Sequence, residues 1–156
     1  MHKKGFTLLE LLMAATLIAA LASIATASYR AKMADAYVED GKNQARALAT
    51  AVRLFELEYP SVIVREEDGL QGSLGTIPYA CALTEETTVS PAMMVACGFL
   101  ENRRWGNDRV KLTITAKAGS TATVVCVNGV EKLGSRYNGK EIFCVNSARG
   151  EQEVAG

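Results

Sequence analysis

An apolar run from Phe6 to Ala27 fills 22 consecutive positions, and Glu10 is its one charged residue. At 1.5 Å per residue such a run makes about 33 Å of helix, enough to cross a hydrocarbon core of roughly 30 Å. A helix that is apolar all round must sit in lipid or inside a protein bundle, so this end of the chain cannot be an ordinary surface helix. A carboxylate within it costs about 2.5–3.5 kcal/mol at the bilayer centre on insertion scales, and less near the interface. Glu10 is therefore expected to meet a positive partner once the segment leaves the lipid.

The residues before the run sharpen this reading. Lys3, Lys4 and Gly5 lead directly into Phe6, followed by Thr7, Leu8, Leu9, Glu10, Leu11 and Leu12. This junction resembles the class III signal of type IV pilins and of the related pseudopilins of type II secretion. The resemblance implies a leader, residues 1–5, cut after Gly5 by a prepilin peptidase on the cytoplasmic side. It also implies N-methylation of the new terminal residue, Phe6, and a role for Glu10 in assembly. Glycine at the cut has a physical rationale, since a residue without a side chain lets the scissile backbone approach closely. The implied partners are other copies of the chain in a helical homopolymer, the peptidase and N-methyltransferase, and the inner-membrane assembly machinery. The implied locations are the bacterial inner membrane for the precursor and the cell surface for the filament. Motility, adhesion or DNA uptake would follow from that filament.

Two competing readings of the N-terminus are weaker. Ala25-Thr26-Ala27 before Ser28 resembles a secretory cleavage site, but the apolar run exceeds the usual 7–15-residue signal core and carries Glu10. A plain anchor explains neither Gly5-Phe6 nor Glu10. The chain also departs from the pilin pattern: Met13 to Ala27 has neither the Pro nor the Gly that many type IV pilins carry there. Ser23, Thr26 and Ser28 are left to loosen the backbone by bonding back to carbonyls. That departure adds weight to the alternative of a pseudopilin or minor pilin.

The helix is predicted to continue past the apolar run. No Pro occurs before Pro60, and Ala34, Val38, Gly41, Ala45, Leu48, Val52, Phe55 and Tyr59 follow one another in steps of three and four. That spacing is one helical face, and Pro60 biases Tyr59 out of the helix. One helix over residues 6–59 is expected, apolar over 6–27 and amphipathic over 28–59. The abundant alanines of its first half would let helix backbones approach closely.

About 97 residues follow Tyr59, enough for one modest head over 60–156. Val110 to Lys117 alternates apolar and polar residues as a half-buried strand does. Thr121 to Val127, Val130 to Leu133 and Lys140 to Val145 read as further strands, with turns at Ala118-Gly119-Ser120, Asn128-Gly129 and Asn138-Gly139. Val62 to Val64 reads as a short strand and Pro91 to Leu100 as a short helix. The expected fold class is α+β: a long N-terminal helix whose amphipathic half covers a three- or four-stranded antiparallel meander.

The chemistry-bearing residues are few. Cys81, Cys97, Cys126 and Cys144 are an even number of cysteines in an exported chain, which suggests disulfides. Of three possible connectivities, local structure favours 81–97 with 126–144, and the second bridge resembles the disulfide-bounded C-terminal region of many type IV pilins. No C-x-x-C pair supports zinc. Glu66, Glu67 and Asp68 lack the ligand spacing of a calcium loop and read as a solvated turn. No metal and no cofactor are expected. The single His, His2, is in the leader, and no nucleophile has a recognisable base partner, so no catalytic residue and no enzyme are expected.

Charge adds little: 17 basic side chains face 17 acidic ones, and loss of Lys3 and Lys4 would leave 15 against 17. Such a balance does not call for nucleic acid as a partner. Arg103, Arg104 and Trp105 could touch it by stacking and charge, but that contact is unsupported and a packed Trp is preferred.

Overall fold

The computed structural model describes residues 7–64, 67–72, 74, 76–81, 83, 88–116, 123–134, 137–148 and 150–152. Its chief helix, α1, runs Leu8–Glu58. The chain forms two units, Met1–Ala36 and Tyr37–Gly156.

The first unit is helical and apolar. From Leu8 to Ile24 its large side chains are 57–78 % exposed, so none of the described residues covers them. Thr16, Ser23 and Thr26 donate hydroxyl hydrogen bonds to the carbonyls of Met13, Ala20 and Ser23 at 2.9, 2.7 and 3.0 Å. These bonds satisfy the hydroxyls inside the segment without interrupting the helix.

The second unit holds the core. In it α1 buries Val38, Gly41, Ala45, Leu48, Ala49, Ala51, Val52 and Phe55: the expected stripe without Ala34 and Tyr59, which are half-buried, and with two neighbouring alanines added. The helix stops at Glu58, with the Tyr59 amide still bonded to the Phe55 carbonyl at 2.9 Å, immediately before Pro60. The stripe packs on a five-stranded antiparallel sheet in the order β2 (Glu67–Leu70), β4 (Val110–Ala116), β5 (Thr123–Gly129), β6 (Glu141–Asn146) and β7 (Gly150–Gln152). Two further strands, β1 (Ile63–Val64) and β3 (Thr88–Val89), pair in parallel, and α2 spans Pro91–Ala96. The architecture is α+β, with the long helix against an antiparallel sheet.

Gly41 sets how closely helix and sheet approach. A Cβ there would come within 2.9 Å of Val110 Cγ2 and 3.0 Å of Val127 Cγ1. Glycine inside a helix costs about 1 kcal/mol relative to alanine. Here it makes room for two stiff valines from β4 and β5. Leu112, Ile114, Val125, Phe143 and Val145 complete the covered face of the sheet.

Three strand expectations need correction. Glu67–Leu70 is a strand on the sheet edge, where a turn was expected: Glu67 pairs with Ile114 and Leu70 with Leu112. Asn128-Gly129 is not a turn but the end of β5. There the Gly129 amide bonds the Lys140 carbonyl at 3.1 Å and its own carbonyl accepts from the Gly139 amide at 2.9 Å. A side chain at 129 would run into the Tyr137 carbonyl, so this glycine serves close backbone approach. Val130–Leu133 is not a strand either. Glu131–Leu133 forms a 3₁₀ turn that buries Leu133, because β4 and β6 already occupy both sides of β5. Asn138-Gly139 does turn, with Gly139 at φ +68°. The turn expected at 118–120 lies outside the described residues.

Candidate functional site

Lys3, Lys4, Gly5 and Phe6, where processing is expected, lie outside the described residues, which begin at Thr7, the residue before α1. Thr7 and Glu10 form a reciprocal cap. The Thr7 amide donates to Glu10 Oε2 at 3.1 Å, and the Glu10 amide donates to Thr7 Oγ1 at 3.3 Å. Thr7 Oγ1 donates to the same Oε2 at 3.2 Å, and the Leu11 amide reaches the Thr7 carbonyl at 3.3 Å. A helix start leaves four amide donors without intrahelical partners, and this capping box satisfies two of them. Glu10 stays exposed, and both of its bonds fall on Oε2. Its other oxygen, Oε1, takes no hydrogen bond from the described residues. No capping box was expected here; the Thr-x-x-Glu spacing of Thr7 and Glu10 is the signal that would have found it.

In the second unit the four cysteines are joined as Cys81–Cys97 and Cys126–Cys144. Cys97 caps the C-terminus of α2, whose other end is set by Ser90 as N-cap and Pro91 in the first turn. The first bridge thus ties the segment before β3 to a capped helix. Beyond α2, Phe99 meets Phe55 edge-on at 5.3 Å, and Tyr59 lies 5.2 Å from Phe55. The second bridge joins residues directly opposite each other on β5 and β6. The Glu141 carboxylate and these two sulfurs lie within 4.8 Å of one another. With the sulfurs bonded to each other, neither can serve as a thiolate ligand, and the cluster is no metal site.

Polar residues fasten the helix to the sheet. Glu56 accepts from Thr123 Oγ1 at 2.6 Å and from Ser147 Oγ at 3.0 Å. Ser147 Oγ also accepts the Thr123 amide at 3.1 Å, and the Ser147 amide returns to the Thr123 carbonyl at 2.9 Å. Thr123 and Ser147 are buried. A second tie runs from Gln44, whose Oε1 accepts the Gly106 amide at 2.7 Å. Its Nε2 donates to Asp40 at 2.9 Å. Neither tie has a local sequence signal, since the partners are 62 to 91 residues apart.

Trp105 is packed, as preferred: it is buried, with the Arg103 guanidinium 4.4 Å from its ring. A shallow cleft of about 240 Å³ between α1 and β6 is lined by Arg46, Thr50, Arg53 and Ser147, among others. The Ser147 hydroxyl there donates to Glu56 at 3.0 Å and accepts the Thr123 amide, as part of the helix–sheet tie.

The family model described as the prokaryotic N-terminal methylation motif matches residues 1–26. No curated protein and no solved structure matches the chain. Among the described residues one helix, α1, is long and apolar enough to cross a membrane. Motif and helix together fit an inner-membrane precursor. Residues 1–26 thus carry a prokaryotic N-terminal methylation motif, a class III signal that supports a prepilin of type IV pilin or pseudopilin type.

Proposed function

We propose that the chain is a structural subunit of a type IV pilus, inserted in the inner membrane as a prepilin and polymerised into a surface filament. The methylation motif over residues 1–26, which includes the Lys-Lys-Gly-Phe junction, carries the reading. In it the peptidase cuts between Gly5 and Phe6 on the cytoplasmic side, and the Phe6 amine is methylated. The disulfides Cys81–Cys97 and Cys126–Cys144 brace the exported head. The apolar half of α1 moves from lipid into a bundle of the same helices from other copies, where the alanines permit close packing.

Glu10 is the assembly residue in this scheme. The amine released on Phe6 belongs to the same helix as Glu10, so the carboxylate pairs with the amine of a neighbouring copy. An apolar bundle makes either unpaired charge expensive, and breaking a buried pair typically costs about 3–5 kcal/mol. A subunit seated in the wrong register would leave charges unmatched. The uncommitted Oε1 supports this, because the cap occupies only Oε2.

The absence of Pro and Gly over Met13–Ala27 favours a second reading, a type II secretion pseudopilin or a minor pilin. Intact mass and N-terminal sequencing of the chain from purified surface filaments test the proposal. The expected product starts at Phe6 and is heavier by one methyl group. A mature chain starting at Ser28 would restore the secretory reading, and absence of the chain from surface filaments would favour the pseudopilin.

A further inference from the structure

Asp35 stands 25 residues after Glu10 on α1, and 25 residues fall within about 20° of seven full helical turns. The two carboxylates therefore lie on one line along the first unit. Ala31 stands in the same relation to Phe6, again 25 residues on, and it is flanked by Arg30 and Lys32. Arg30, Lys32 and Asp35 are all exposed, and none has an ion-pair partner among the described residues. Glu39, the next acidic residue, is already held by Lys42 at 3.7 Å and Arg46 at 3.6 Å.

A stagger that brings the Phe6 amine of one copy to Glu10 of another shifts two parallel helices by four residues, about 6 Å. The same shift brings Ala31 of the first copy level with Asp35 of the second. Ala31 is small enough to let the helices approach, and the long side chains of Arg30 and Lys32 reach the carboxylate from either side. We propose that Asp35 forms a second intermolecular ion pair with Arg30 and Lys32 of the neighbouring copy, in the same register as the Glu10 contact. The partner is a second copy of this chain, and the proposal rests on the subunit reading given above. Two contacts separated by seven turns fix the relative tilt of neighbouring helices as well as their stagger.

Charge reversal in the full chain, expressed as the only subunit, tests it. Asp35→Lys alone, and Arg30→Asp with Lys32→Asp, should each lower filament yield about tenfold or more, because like charges then meet across the interface. Cleavage and membrane levels should be unchanged. Combining all three substitutions should restore filaments towards the unaltered yield. Mixed filaments of Ala31→Cys and Asp35→Cys subunits should give disulfide-linked dimers, whereas Ser28→Cys with Asp35→Cys should not. Normal yield from Asp35→Lys, a triple variant no better than its parents, or normal mixed filaments without dimers overturns the pair. A loss of membrane-inserted precursor in the Arg30/Lys32 variant also overturns it, since those residues would then be anchoring to lipid headgroups. Failure of the unaltered chain to polymerise is a separate result, and it removes the subunit reading itself.

Discussion

Thr7 and Glu10 hold each other across the first turn of α1, the amide of each bonded to the side chain of the other at 3.1 and 3.3 Å. Glu10 thus has a local reason to be where it is, independent of any partner. Cap and charge can be separated by substitution. Glu10→Gln keeps an acceptor for the Thr7 amide but removes the charge, whereas Thr7→Ala leaves the charge and weakens the cap by about 0.5–2 kcal/mol. Glu10→Gln and Glu10→Ala should both insert and be cleaved yet give few filaments, with subunit accumulating in the membrane. Thr7→Ala should assemble far better than either. Filament yields and membrane-subunit levels measured side by side check this, and normal yield from Glu10→Gln would remove the charge-pair mechanism.

Glu56 closes the far end of the helix–sheet interface. Glu56→Ala would leave the buried Thr123 and Ser147 hydroxyls without their acceptor, a loss of about 1–3 kcal/mol. Urea unfolding of the detergent-solubilised chain, followed by Trp105 fluorescence, should show a lower midpoint. Glu56→Gln, which keeps one acceptor oxygen, should lose less. Equal midpoints for both variants and the parent would show that the tie contributes nothing.

Gly41→Val should destabilise the head despite ending the helix penalty of glycine. The added atoms meet Val110 and Val127, and overpacking of this kind typically costs about 1–3 kcal/mol. The same urea experiment reads it. A midpoint at or above that of the parent would mean that the sheet can retreat from the helix freely.

The two disulfides should differ in what they protect. Each closes a short loop and contributes about 3 kcal/mol on the chain-entropy estimate. Cys126–Cys144 links strands already held by a ladder from Val124 to Asn128, whereas the described residues closed off by Cys81–Cys97 have the short helix α2 and a two-residue pairing of β3 with β1. Limited proteolysis after replacing Cys81 and Cys97 by Ala should give early cuts between Thr76 and Ser90. Replacing Cys126 and Cys144 should lower the unfolding midpoint without early local cuts. First cuts within β5 or β6 would reverse this assignment.

Backbone approach explains where the strand readings missed. Asn-Gly is a sound turn signal, and at 138–139 the chain does turn. At 128–129 the same dipeptide ends a strand, because Gly129 must pass close to the Tyr137 carbonyl. Glu67–Leu70 read as a turn from its charges and glycine, but a free edge beside β4 recruited its backbone. Neither fact is visible from composition within a short window, since each depends on which strand stands alongside.

The sequence by itself determined the long helix, its apolar and amphipathic halves, its end before Pro60 and the class III signal. These rest on periodicity, on proline geometry and on a short contiguous motif, all local to the chain. Tertiary structure alone decided the order of the five strands, the pairing of Glu56 with Thr123 and Ser147, and the need for glycine at 41. Those depend on contacts between residues far apart in sequence, whose energies exist only once the helix lies on the sheet.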